Sequence, residues 1–140
     1  MFSAPRNILV IEDHDDSAMI LAQMLRKHGH VASIARTCAE TRHSFATDTD
    51  INAVLIDIGL PDGNGCDLLQ ELNAMRPVPA IAVTGYGMAH DIERSAKAGF
   101  IAHIVKPVIM SALTELLASL KAPLPPRTPQ TGGGGESMAG

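Results

Sequence analysis

Ala53-Val54-Leu55-Ile56-Asp57-Ile58-Gly59-Leu60-Pro61 is a short apolar run that stops at a carboxylate and then turns through glycine and proline. Four apolar residues in a row, with no polar alternation, suit a strand covered on both faces. Four more apolar runs follow the same plan, at 8–11, 31–35, 80–83 and 100–105. The run at 31–35, Val-Ala-Ser-Ile-Ala, is the most polar and suits a sheet edge. The segments between the runs read as helices. Residues 17–28 place Ile20, Leu21, Met24 and Leu25 on one face, with Asp15 or Asp16 as the cap and Gly29 as the stop. Thr37-Cys38-Ala39-Glu40 fits a capping box for a second helix. A third helix covers 66–75 with Leu68, Leu69 and Leu72 inward, and a fourth covers 89–98 and stops at Gly99. A fifth covers 109–121 along Leu113, Leu116, Leu117 and Leu120. Five strand–helix units in succession predict an α/β fold, a parallel sheet with helices on both faces.

In a chain of 140 residues this is one domain, and 46% apolar content is ample for its core. The domain is read as 6–121. Residues 123–140 hold four of the nine prolines and five of the twelve glycines. They cannot bury enough apolar surface to offset their ordering entropy, so 122–140 is expected to be a disordered tail or linker. Eleven Lys+Arg stand against fifteen Asp+Glu, a net charge of −4, which excludes a broad grip on nucleic acid or an anionic membrane. With 3% aromatic residues and no Trp, a base-stacking platform is excluded as well. Cys38 and Cys66 have neither zinc spacing nor a C-x-x-C pattern and are expected to be reduced packing residues. The N-terminal apolar run meets acid within a few residues, so it is neither signal peptide nor membrane span, and a cytoplasmic location is expected.

Ligands of such sheets gather outside the carboxyl ends of the strands. There the first strand ends in Glu12-Asp13, the third in Asp57, the fourth in Thr84-Gly85 and the fifth in Lys106-Pro107. Two like charges about 4 Å apart repel by about 4 kcal/mol at an effective dielectric near 20. Three carboxylates brought together must therefore bind a cation or take up a proton. Hard oxygen ligands suit Mg²⁺, and three carboxylates, one divalent ion and Lys106 sum to zero charge. Such a site is suited to receive a phosphoryl group, with Asp57 as nucleophile and Mg²⁺, Lys106 and the Thr84 hydroxyl on the phosphoryl oxygens. A plainer reading makes Glu12 and Asp13 helix-start acids, but Asp15 and Asp16 already fill that place. His14, His28, His30, His43 and His90 show no paired spacing and are assigned no metal.

In this order, Glu12-Asp13, Leu55-Ile56-Asp57-Ile58-Gly59-Leu60-Pro61, Thr84-Gly85 and Lys106-Pro107 resemble the response regulator receiver domain. The run from Ala98 to Pro107 is most similar to receivers attached to hybrid histidine kinases. The resemblance implies a flavodoxin-like, three-layer α/β/α, doubly wound fold with strand order 2-1-3-4-5. It implies that Asp57 accepts a phosphoryl group from a histidine kinase or histidine phosphotransfer domain, without being an enzyme that turns over an outside substrate. It implies that Glu12, Asp13, Asp57 and the backbone carbonyl of Gly59 hold Mg²⁺. It implies that Lys106, Thr84 and Gly85 meet the phosphoryl group, and that the Lys106–Pro107 bond is cis. His103 stands where the family usually has Tyr or Phe as a rotamer switch, and Tyr86 flanks the site. No output module is read in 122–140, so output is expected through an unknown partner protein, with no nucleic acid or membrane contact. Two other readings fit the same fold: a phosphate-independent pseudo-receiver, and a phosphohydrolase with an aspartyl intermediate. The second lacks the usual acid–base Asp two residues after the nucleophile, where Gly59 stands. The loop 61–65 is expected to be a mobile turn.

Overall fold

A computed structural model describes residues 5–85 and 89–119. The order is β1 (Asn7–Ile11), α1 (Asp15–Lys27), β2 (Val31–Ala35), α2 (Cys38–Thr47), β3 (Ala53–Asp57), α3 (Gly65–Met75), β4 (Ala80–Thr84), α4 (Ala89–Ala98), β5 (Ala102–Val105) and α5 (Met110–Ser119). All neighbours in the main sheet are parallel, in the order β2-β1-β3-β4-β5. This is the doubly wound α/β fold that the alternation of runs predicts, with β2 at one edge.

Successive residues of a strand face opposite ways, so each central strand supplies two cores. Leu9, Ile11, Val54, Ile56, Ala80 and Ala82 pack under Phe45 of α2 and Leu68, Leu69 and Leu72 of α3. Ile8, Val10, Leu55, Ile81 and Val83 pack under Leu21 and Leu25 of α1 and Leu113 and Leu117 of α5. Every residue of β3 and β4 is buried, which is why their sequences do not alternate. In register, Ile11 lies beside Ile56, Asp57 beside Val83 and Thr84 beside Val105. The carboxyl ends of four strands therefore finish at one level.

Several local expectations need correction. Helix α1 begins at Asp15 rather than at 17, and His14 is its N-cap, without a side-chain cap bond. Asp15 and Asp16 lie in the first turn, where carboxylates still favour the helix dipole. The buried face of α1 is Ala18, Leu21, Ala22 and Leu25, while Ile20 is 57% exposed. The box at α2 is half formed. Thr37 Oγ1 accepts from the Glu40 N–H at 3.0 Å, but Glu40 reaches back to the Arg36 N–H and not to Thr37. Strand β5 starts at Ala102, and Phe100 is buried in the core ahead of it. The loop 61–65 is tied rather than loose. Gly59–Leu60 and Gly63–Asn64 pair as a small antiparallel hairpin, and Gly65 already opens α3. Gly29 and Gly99 end α1 and α4 at φ +92° and +107°, a left-handed backbone that side chains resist. The last two residues of the fifth expected helix, the tail expected over 122–140, and Tyr86 lie outside the described residues.

Candidate functional site

Asp57 is the last residue of β3, and only 8% of it is exposed. Glu12 follows β1 and is 4% exposed, its N–H extending the ladder to the Ala35 carbonyl at 3.0 Å. Lys106 follows β5 and reaches both acids. Its Nζ is 2.6 Å from Glu12 Oε1 and 3.3 Å from Asp57 Oδ2. Asp57 Oδ1 accepts the Gly59 N–H at 3.1 Å. Asp13 completes the group, with an Oδ1 that is shielded from solvent and accepts no hydrogen bond among the described residues. One carboxylate oxygen each from Glu12, Asp13 and Asp57, and a ring nitrogen of His14, all lie within 4.8 Å of one another.

Three carboxylates face one ammonium here, and the protons respond. Burial pushes the Asp57 carboxyl up to about 6, and the hydrogen bond and charge of Glu12 push the same way, against Lys106 and the Gly59 N–H. Burial also opposes ionisation of Glu12. Hydrogen bonds from Lys106, the His14 N–H and Asp57 outweigh it and hold that carboxyl well below the usual range. For Lys106, burial works against the charge, while Glu12 and Asp57 restore it and leave the ammonium above its ordinary value. The pocket thus carries an excess of negative charge that a divalent cation removes. Hard carboxylate oxygens, one of them shielded and unbonded, are a donor set that fits Mg²⁺.

The frame around Asp57 comes from residues that sequence reasoning passed over. A Cβ on Gly65 would meet the Asp57 carbonyl oxygen and Ile56 Cγ2 at 2.9 Å, so only glycine lets α3 start this close to β3. Asn64 caps α3, its Oδ1 accepting from the Cys66 N–H at 2.6 Å. Asp62 reaches across to α2 and accepts from the Cys38 N–H at 2.8 Å and the Ala39 N–H at 3.2 Å. The hairpin carrying Gly59 is thereby pinned to two helix N-termini. The signal for Asn64 is an Asx residue before a helical run; nothing local announces Asp62, whose targets lie more than twenty residues away. Cys38 and Cys66 are buried thiols, and burial with the neighbouring Asp62 pushes the Cys38 thiol up to about 11.

Thr84 closes β4 and is buried, with Gly85 exposed beyond it. The Thr84 carbonyl accepts the Lys106 N–H at 2.8 Å, which fixes Lys106 beside β4. The Lys106–Pro107 bond is cis. His103 is half-buried in β5, paired with Ala82 two residues before the carboxyl end of the strand. His14, assigned no role from spacing, projects at the acids, with Nδ1 3.2 Å from Glu12 Oε2 and 3.4 Å from Asp13 Oδ1.

Residues 8–118 match the family model of the response regulator receiver domain. The chain belongs to this family. It is 30% identical over 118 residues to the sensory/regulatory protein RpfC of Xanthomonas campestris pv. campestris, covering 81% of this chain and 16% of RpfC. It is 26% identical over 118 residues to the polar-differentiation response regulator DivK of Brucella anthropi, covering 82% of this chain and 95% of DivK. Its fold is similar to the CheY-like receiver domain from Methanospirillum hungatei JF-1, with a TM-score of 0.73 and 33% identity over 81% of this chain and 91% of that one. Receiver domains of two-component systems are signalling phosphoacceptors that bind Mg²⁺ at an acidic pocket, and this receiver has such a pocket in Glu12, Asp13 and Asp57. No helix among the described residues is long and apolar enough to cross a membrane.

Proposed function

We propose that Asp57 accepts a phosphoryl group from a phosphohistidine in a Mg²⁺-dependent reaction and that the phosphorylated state signals to a partner protein. The observation that carries this reading is the buried Asp57 carboxylate held 3.3 Å from Lys106 and grouped with Glu12 and Asp13. A carboxylate oxygen of Asp57 attacks phosphorus, the P–N bond breaks, and the donor imidazole leaves with the bonding pair. Bound at Glu12, Asp13, Asp57 and the Gly59 carbonyl, Mg²⁺ supplies positive charge for the phosphoryl oxygens. Lys106 supplies the second positive charge and turns from the carboxylates toward the incoming group. The Thr84 hydroxyl and the Gly85 backbone meet the same group, and movement of Thr84 is read out through β4 and β5, with His103 as the switch side chain.

The donor is a histidine kinase or histidine phosphotransfer domain, and the working unit is residues 6–121, in the cytoplasm. A protein donor suits the surroundings of the pocket. An apolar groove lined by Ile20, Leu21, Met24 and Pro107 runs up to Glu12 and Lys106. Output passes to a partner protein. The test is intact mass after incubation with a small phosphodonor, with and without Mg²⁺, for the native chain and Asp57→Asn. The expected result is a Mg²⁺-dependent gain of one phosphoryl group in the native chain alone. No gain under any condition would favour a phosphate-independent interaction module on this fold. Turnover of an outside phosphate ester is not expected, since Gly59 brings no acid–base side chain to the position two residues beyond Asp57.

A further inference from the structure

We propose that Asp62 is a positioning residue for phosphoryl transfer at Asp57. From the N-terminus of α2 it holds the hairpin that carries Gly59, and the same contact lets that end of α2 respond to the state of the pocket. The inference rests on the reading of Asp57 as the phosphoacceptor and adds a residue outside the acidic group. Asp62 sits in the turn of the hairpin formed by Gly59–Leu60 and Gly63–Asn64. Its two oxygens accept from consecutive main-chain donors of α2, Oδ1 from the Cys38 N–H at 2.8 Å and Oδ2 from the Ala39 N–H at 3.2 Å. Thr37 Oγ1 takes the next donor, the Glu40 N–H. The cap of α2 is thus split between its own Thr37 and a carboxylate 24 residues beyond Cys38.

The turn is pressed onto α2. A Cβ on Gly63 would meet Cys38 Sγ at 2.9 Å, so the hairpin comes down on the thiol as closely as a residue without a side chain allows. At the other end of the hairpin, the Gly59 N–H donates to Asp57 Oδ1 at 3.1 Å, and the Gly65 N–H donates to the Ile58 carbonyl at 2.9 Å. A short paired ribbon therefore joins the Asp57 carboxylate to α2, and a shift of the turn is passed to an oxygen of the reacting group. Asp62 is exposed and bonded to α2, so it acts through Gly59 and not on the phosphoryl group itself. Coupling of this kind is reciprocal: what the α2 contact does for cation binding at the pocket, cation binding does for the contact.

The test compares the native chain, Asp62→Asn and Thr37→Ala by two readouts. One is the rate of phosphoryl uptake from acetyl phosphate with Mg²⁺, followed by intact mass. The other is alkylation by iodoacetamide with and without Mg²⁺, read at Cys38 by peptide mass. Cys38 is buried, and burial with Asp62 beside it pushes the thiol up to about 11, so it alkylates slowly while the turn is in place. Mg²⁺ is expected to slow alkylation of the native chain about threefold or more. Asp62→Asn is expected to abolish that protection and to slow uptake on the order of tenfold. Thr37→Ala removes the helix's own cap without touching the hairpin, and is expected to leave uptake and protection within about twofold of native. Uptake unchanged by Asp62→Asn, uptake slowed equally by Thr37→Ala, or alkylation of the native chain indifferent to Mg²⁺ would each overturn the inference while leaving Asp57 as the acceptor. No uptake by the native chain would overturn the phosphoacceptor reading and this inference with it.

Discussion

The two ends of the central sheet bury polar groups by opposite rules. At the carboxyl end, Glu12 and Asp57 are enclosed with Asp13 nearby, and Lys106 is the one cation that touches both buried acids among the described residues. At the amino end, main-chain donors meet neutral acceptors. The Arg6 N–H donates to His30 Nδ1 at 3.1 Å, the Asn7 N–H to Asn52 Oδ1 at 3.0 Å, and the Asn52 N–H to the Asn7 carbonyl at 2.9 Å. These bonds join β1 to the starts of β2 and β3 and set the register of the sheet. The amino end is joined by main-chain hydrogen bonds to uncharged acceptors, beside the buried Arg6. The other stores repulsion that a cation or a proton relieves. A receiver needs both, because a reactive carboxylate is useful only on a frame that does not move with it.

Removing Lys106 breaks this contrast most severely. Lys106→Met leaves Glu12 and Asp57 buried without their cation. Breaking a fully buried pair costs 3–5 kcal/mol, and with part of Lys106 in solvent about 3 kcal/mol is expected. Urea unfolding of the metal-free protein measures it, and addition of Mg²⁺ is expected to restore part of the loss. An unchanged midpoint would mean that the acids are not strained against each other.

Asp57→Asn acts in the opposite direction. The carboxyl is raised from 3.8 to about 6 in the fold, so the fold prefers it protonated. That preference stabilises fully below pH 3.8 and is lost as pH rises through about 6. Above pH 6 the metal-free Asn variant is therefore expected to be more stable than the native chain, by about 2 kcal/mol, and near pH 4 to match it. Unfolding curves at pH 4, 5, 6 and 7 sharpen the comparison. A native chain more stable than the variant at pH 7 without metal would contradict it.

Gly65→Ala probes the frame rather than the charges. The new methyl would meet backbone at 2.9 Å, and a cost of about 1–2 kcal/mol with displacement of Asp57 is expected. Chemical denaturation paired with phosphoryl uptake separates the two effects, and loss of uptake should exceed what the loss of stability explains. Asn52→Ala is the amino-end counterpart and the mildest change. It removes the acceptor of the Asn7 N–H, with an expected cost of about 1 kcal/mol and no effect on phosphoryl uptake or Mg²⁺ affinity. A drop in uptake here would show that the two ends are coupled.

Much of the frame is readable in the sequence. The five unalternating runs mark strands buried on both faces, and Gly29, Gly99 and Thr37 mark helix ends by chemistry that acts over a few residues. Acids and a lysine at the ends of the first, third and fifth runs are enough to place Glu12, Asp57 and Lys106 on one edge. What escaped was of longer range. Ile20 fits the apolar period of α1 yet faces out, because the sheet meets α1 along Ala18, Ala22 and Leu25. The loop 61–65 looked loose because its anchor, the N-terminus of α2, is more than twenty residues earlier.

Periodicity and capping are properties of neighbouring residues, so element type, element order and the roster of strand-end charges are written along the chain. Distances are not. The contact of Lys106 with Asp57 spans 49 residues, and the inward turn of His14, the proton balance between Glu12 and Asp57 and the need for glycine at 65 depend on how closely separate segments are pressed together. Only packing supplies that closeness, since the burial that raises one carboxyl and the sterics that forbid a Cβ exist only once the strands and helices have met.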